Sequence, residues 1–178
     1  MKIENLIKKA QKGDKIAFNN LITFYEQDLY KIARIRLNLD DACDAVQEAI
    51  ITIYKSLNKL TKISSFKSWM IKILINKCND IYKKNVSQTA LSYEMFENET
   101  NFIEDKVDNY NFDSLIKVLE YEERIIVILY YFEDFSVKEI SKIIKIPEGT
   151  VKSRLSRARK GLEKNLVKND EERRDING

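Results

Sequence analysis

One proline, Pro147, and four glycines in 178 residues leave this chain little with which to build tight turns. A sheet protein of this length needs many of them, so the scarcity favours an all-helical fold. A hydrophobic content of 44% is enough for packed cores, and 33% charged residues suits a helix-rich soluble protein. The length allows one ordinary domain or two small ones. Pro147 and one of the glycines, Gly149, fall together between two helical patterns. That single interruption is the most informative place in the chain.

On its N-terminal side Ser136 followed by Glu139 forms a capping box, so a helix starts at Val137. Val137, Ile140, Ile143 and Ile144 share one face of it. Pro147 and Gly149 break the pattern and permit a sharp turn. A second helix resumes near Thr150, with Val151, Leu155, Ala158 and Leu162 as its apolar stripe. Lys152, Ser153, Ser156, Arg157 and Lys160 then face outward together, with Arg154 and Arg159 on the flanks. Such side chains donate to phosphates and reach base edges, which a helix entering the major groove must do. A merely solvated basic face is the plain alternative. A capped helix, a short turn and one small-polar basic face in succession favour DNA binding, with Ser136 and Thr150 at the edges of the contact. The pattern does not separate an activator, a repressor or a polymerase subunit.

The net charge of +3 conceals an uneven distribution. Between residues 87 and 113 seven carboxylates face only Lys106, a local charge of −6, so the remainder carries +9. The chain has no histidine, and Cys43 and Cys78 lack metal-ligand spacing, so neither a metal nor another cofactor is expected. Each cysteine lies on an apolar helix stripe, as reduced core thiols of a cytoplasmic protein would. The N-terminus has no apolar secretory core, and the longest apolar run, residues 125–132, is too short to insert in a membrane.

Three blocks emerge: a helical domain over 1–85, a flexible acidic linker over 86–111, and a second small helical domain over 112–178 that ends in the helix-turn-helix. In the first block Leu6, Ala10, Ala17, Phe18, Leu21, Ile22, Tyr25, Leu29, Ile32, Ala33 and Ile35 recur at helical spacing, broken around Gly13. Asp40 or Asp41 can cap the next helix, which runs to about Leu57. A polar break over 58–65 precedes another helix over 66–84.

Two helices of the first block carry functional information. Over 41–57, Cys43, Val46, Ala49, Ile50, Ile53 and Leu57 make the apolar side. Asp41, Asp44 and Glu48 lie opposite, with Gln47 at the border. First-turn carboxylates suit the helix dipole, which accounts for Asp41 and Asp44 better than for Glu48. In a lysine-rich domain the same acidic face is also a docking surface for a basic protein. Over 66–84, Met70, Ile71, Leu74, Cys78 and Ile81 form the stripe, and Trp69 points away from it toward Lys72, Asn76, Asp80 and Lys83. A tryptophan among lysines and asparagine suits base stacking, and packing against another helix suits it equally. The preceding loop, with Lys62, Ser65 and Phe66, has the small polar and aromatic content of a pocket for an unstacked base.

Three runs resemble motifs of one family, in that family's order. Residues 41–48, DACDAVQE, are similar to the D-A-x-D-x-V-Q-E signature of bacterial sigma factors. Residues 65–76 resemble their S-F-x-x-W-L-x-x-I-A-x-N segment, and residues 146–155 their I-P-x-G-T-V-K-S-R-L segment. Short length and two domains point to the extracytoplasmic-function (ECF) subgroup. The resemblance implies that Asp41, Asp44, Gln47 and Glu48 dock on the clamp of core RNA polymerase. It implies that Lys62, Ser65, Phe66, Trp69, Asn76 and Lys83 engage melted promoter DNA at the −10 element. The acidic linker would follow the RNA exit path, and the apolar helix near 122–132 would meet the polymerase flap. Lys152, Ser153, Arg154, Ser156, Arg157, Arg159 and Lys160 would read double-stranded DNA at the −35 element. Ser156 stands where many relatives carry a larger residue, and Cys78 where alanine is usual; both bear on promoter sequence. An anti-sigma factor, of the kind often anchored in a membrane, is the further implied partner.

An autonomous helix-turn-helix regulator is the competing reading. It explains the last block and leaves the acidic face, the Trp69 face and the acidic linker without roles. An enzyme has no nucleophile–base constellation or glycine-rich phosphate loop to build on.

Overall fold

Asp14 begins the second helix of the chain by accepting a hydrogen bond from the Ala17 amide at 3.0 Å, and Gly13, at φ 92°, makes the bend before it. The computed structural model describes residues 3–89, 116 and 118–176, with side chains to residue 87 in the first stretch and to 166 in the last. Among the described residues the ordered elements are helical. The chain divides into two units, Met1–Asn101 and Phe102–Gly178.

In the first unit α1 (Ile3–Gln11), α2 (Lys15–Arg34), α3 (Leu39–Ser56) and α4 (Phe66–Thr89) pack around one core. All eleven apolar positions read from the 3–35 periodicity are buried. Leu21, Leu29, Val46, Ile53, Met70 and Leu74 form its solvent-free centre. Burying each such side chain stabilises the unit by about 1.5–3 kcal/mol before entropy is counted. The α3 cap is Asn38, whose side chain accepts from the Asp41 amide at 2.9 Å. Asp40 and Asp41 lie inside the first turn, where their charge meets the helix dipole, so the expected cap was placed too late.

Residues 58–65 are not a plain polar break. They hold a 3-10 turn, Ile63–Ser65, after an earlier one at Leu57–Lys59. Gln11 pins this stretch by donating to the Leu57 carbonyl at 3.0 Å and the Leu60 carbonyl at 2.7 Å. Helix α4 runs to Thr89, beyond the expected boundary at 85. The rest of the expected acidic linker lies outside the described residues.

In the second unit α5 (Tyr121–Tyr131) is central: Ile125, Ile126, Val127, Ile128 and Leu129 are all buried. A helix apolar all round is a core helix. At its C-terminal end the large hydrophobic residues Tyr131 and Phe132 are exposed. Helices α6 (Val137–Ile144) and α7 (Glu148–Ile176) pack against it. Leu119, Val127, Ala158 and Leu162 form one cluster of that contact.

Candidate nucleic-acid and docking surfaces

The capping box at the head of α6 is complete. The Ser136 hydroxyl accepts from the Glu139 amide at 3.3 Å and donates to the Glu139 carboxylate at 2.7 Å, which also accepts from the Ser136 amide at 2.9 Å. Ser136 is exposed and its hydroxyl serves as the cap of α6. Helix α6 ends on Lys145, whose φ of 60° and ψ of 44° are left-handed. The Ser141 hydroxyl donates to the Ile146 carbonyl at 2.6 Å and closes the turn. Pro147 accepts from the amides of Thr150 and Val151, so α7 resumes at Glu148, two residues before the expected Thr150. The left-handed turn residue is therefore Lys145. Gly149 sits inside the first turn of α7, and a Cβ there would meet nothing within 4 Å.

Helix α7 presents the face expected of it. Val151, Leu155 and Ala158 are buried, while Lys152, Ser153, Ser156, Arg157, Arg159 and Lys160 are exposed. Thr150 and Arg154 are half-buried at the edges. The Ser153 hydroxyl donates to the Thr150 carbonyl at 3.0 Å, a weak local bond that a base edge can replace. Two arginines lean on α5. Arg157 Nε lies 3.7 Å from the Glu123 carboxylate, and Arg159 Nε donates to the Tyr131 hydroxyl at 2.7 Å. The Tyr131 bond holds the Arg159 guanidinium more firmly charged, with its pKa raised above the ordinary value. Nothing in the sequence periodicity signalled these two tethers, because they join residues 34 and 28 positions apart.

In the first unit the outward side of α3 carries Asp44, Gln47 and Glu48, all exposed. Glu48 pairs with Lys77 of α4 at 3.0 Å, a surface contact of at most about 1 kcal/mol that a basic partner can outcompete. Asp41 is different. It is half-buried, and its carboxylate accepts from Asn38 at 2.9 Å and from Asn85 of α4 at 2.7 Å. It ties α3 to α4.

Helix α4 begins at Phe66, which is 2% exposed and packs 5.8 Å from the Tyr25 ring. Phe66 is thus a core residue, and the expectation that it lines an open base pocket is corrected. Trp69 is half-buried with its ring 6.1 Å from Phe66, so one side packs and the other faces outward. Lys62 and Lys83 are exposed, and Asn76 is half-buried on the same helix as Trp69. Ser65 donates to the Lys62 carbonyl at 2.7 Å and shapes the 3-10 turn beside the Trp69 end of the helix. Arg36 fixes the far half of α4, donating to the Asn79 side chain at 2.9 Å and lying 3.8 Å over the Tyr82 ring. Sequence reasoning missed Arg36, whose only signal was a positive charge at the end of an apolar run.

The chain is thus a two-part helical protein with an exposed basic helix in one unit and an exposed acidic face in the other. Comparison with known proteins agrees. Residues 21–87 match the model of sigma-70 region 2, and residues 110–162 match that of sigma-70, region 4. The chain is 30% identical to the ECF RNA polymerase sigma factor SigW of Bacillus subtilis over 93% of its own length and 97% of that protein's. It is 32% identical to the RNA polymerase sigma factor SigV of the same organism, over 91% and 98%. Its fold is similar to that of the sigma factor RpoE from Bartonella quintana, solved in complex with the anti-sigma factor NepR. The TM-score is 0.71 at 24% identity, over 84% of this chain and 96% of that one. The chain belongs to the sigma-70 family, as an ECF sigma factor of RNA polymerase.

Proposed function

We propose that the two units divide promoter recognition between them. The exposed Asp44, Gln47 and Glu48 of α3 dock on a basic surface of core RNA polymerase. Helix α4, through Trp69, Asn76, Lys83 and the turn at Lys62 and Ser65, captures unstacked bases of the −10 element. Helix α7 lies in the major groove at the −35 element, with Lys152, Ser153, Arg157 and Ser156 toward bases and Arg154, Arg159, Lys160 and Thr150 toward the backbone. The work is binding, and no covalent step is required of the chain. Unstacking takes a few kcal/mol per step, and stacking at about 1–3 kcal/mol per base offsets it. A chain with these partners works in the cytoplasm beside its DNA. Among the described residues no helix is long and apolar enough to cross a membrane.

The observation that carries this reading is the match to regions 2 and 4 in one chain, each falling on a surface of the fitting chemistry. Solved relatives bound to an anti-sigma factor, and to the cytosolic domain of a partner in the case of CnrH, support an inhibitory partner here as well. Size-exclusion chromatography of the full chain with purified core polymerase tests the reading: a stoichiometric complex is expected, whereas an autonomous regulator elutes alone.

A further inference from the structure

We propose that Tyr131, at the C-terminal end of α5, is a positioning residue that fixes Arg159 as a phosphate clamp at the edge of α7. The proposal rests on the reading of α7 as the duplex-binding helix. An exposed arginine samples many rotamers, and each such side chain that must be immobilised on binding lowers affinity. Arg159 does not have that freedom. Its Nε donates to the Tyr131 hydroxyl at 2.7 Å, and its guanidinium carbon stands 5.8 Å from the Tyr131 ring centroid and 5.9 Å from that of Tyr130. Tyr131 is itself 48% exposed, so its ring contributes little to the core around Ile126 and Leu129. A tyrosine kept at the surface with its hydroxyl on an arginine serves the arginine.

The geometry also decides what Arg159 touches. With Nε on the Tyr131 hydroxyl and Tyr130 also in hydrogen-bonding contact with the guanidinium, the remaining N–H groups are the ones left to donate to phosphate oxygens. The tether draws the guanidinium toward α5, away from the centre of the exposed face at Lys152, Ser153 and Ser156. A side chain held at that margin meets the backbone and not a base edge, so its contribution is blind to sequence.

The test uses the full chain assembled with saturating core polymerase, titrated on promoter duplexes across a salt series. Tyr131→Phe, which keeps the ring, Arg159→Ala and the double variant are compared on several −35 sequences. Tyr131→Phe is expected to weaken binding about two- to tenfold on every sequence alike with the salt slope retained. Arg159→Ala should lose more and lower the slope by about one, and adding Tyr131→Phe to it should change nothing further. Additive losses, or an unchanged Tyr131→Phe beside a weakened Arg159→Ala, overturn the positioning role and leave the DNA reading standing. Loss in Lys152→Ala with none in Arg159→Ala overturns the clamp. Indifference of all these variants, Lys152→Ala included, overturns the DNA reading itself.

Discussion

Lys145 holds a left-handed conformation, φ 60° and ψ 44°, at the end of α6. Its Cβ crowds the following carbonyl there, at about 1–2 kcal/mol, and glycine would not. Lys145→Gly is therefore expected to raise stability by up to about 1 kcal/mol, read as a higher urea midpoint at unchanged slope. Cys78 gives a second residue-scale expectation. Burial pushes its thiol from 9.0 up to about 12, so the folded state keeps a proton that the unfolded chain releases. The stability tied to that proton is complete below pH 9 and is lost as pH rises toward 12. Cys78→Ala should flatten the alkaline fall in unfolding free energy, and an equally steep fall in that variant would contradict the assignment. Labelling agrees in direction: half-buried Cys43 should react with a thiol reagent in the native state, and buried Cys78 only on unfolding.

Helices set the next scale. Asp44→Arg and Glu48→Lys reverse exposed charges on α3 and leave Val46, Ala49 and Ile53 untouched, so both should weaken binding to core polymerase with an unchanged melting temperature. Wild-type affinity for core in both variants would remove the docking face. Asn76→Ala on α4 should reduce transcription from duplex promoters and be rescued by a pre-melted one. Loss without rescue would rule out strand capture. Leu155→Ala on α7 removes a side chain only 3% exposed and should cost about 2–5 kcal/mol of stability of the second unit, measured by denaturant unfolding. The elements themselves were legible because a 3.6-residue period records which face is buried, and every apolar position of the first two helices lies where the period put it. Phe66 was not legible: it stands one place from the loop, and only the Tyr25 ring across the core decides that it turns inward. The same holds for Asp41, whose tie to Asn85, 44 residues away, no local pattern records. Pro147 and Gly149 announced the turn of the helix-turn-helix, yet the left-handed residue is Lys145. The hydrogen bonds that close the turn, not composition, fix which residue absorbs the bend.

For the whole molecule, the proposed reading implies that neither unit suffices. On that reading the basic helix of the second holds the chain on duplex, and the acidic face and Trp69 helix of the first act only once polymerase is present. The net charge of +3 is small for a DNA-binding protein, and the segment at 87–113 accounts for this by subtracting 6 from chain otherwise basic. Binding to duplex alone is accordingly expected to be weak and strongly salt-dependent, and to tighten when core polymerase supplies the second contact. Run-off transcription tests this most directly: purified core polymerase with and without the full chain, on promoter fragments selected from genomic DNA by the assembled complex. The account predicts discrete transcripts from those fragments only when the chain is present, lost with Asn76→Ala and restored on pre-melted templates. Tight sequence-specific binding by the chain alone, with no chain-dependent transcript from any selected fragment, would contradict it.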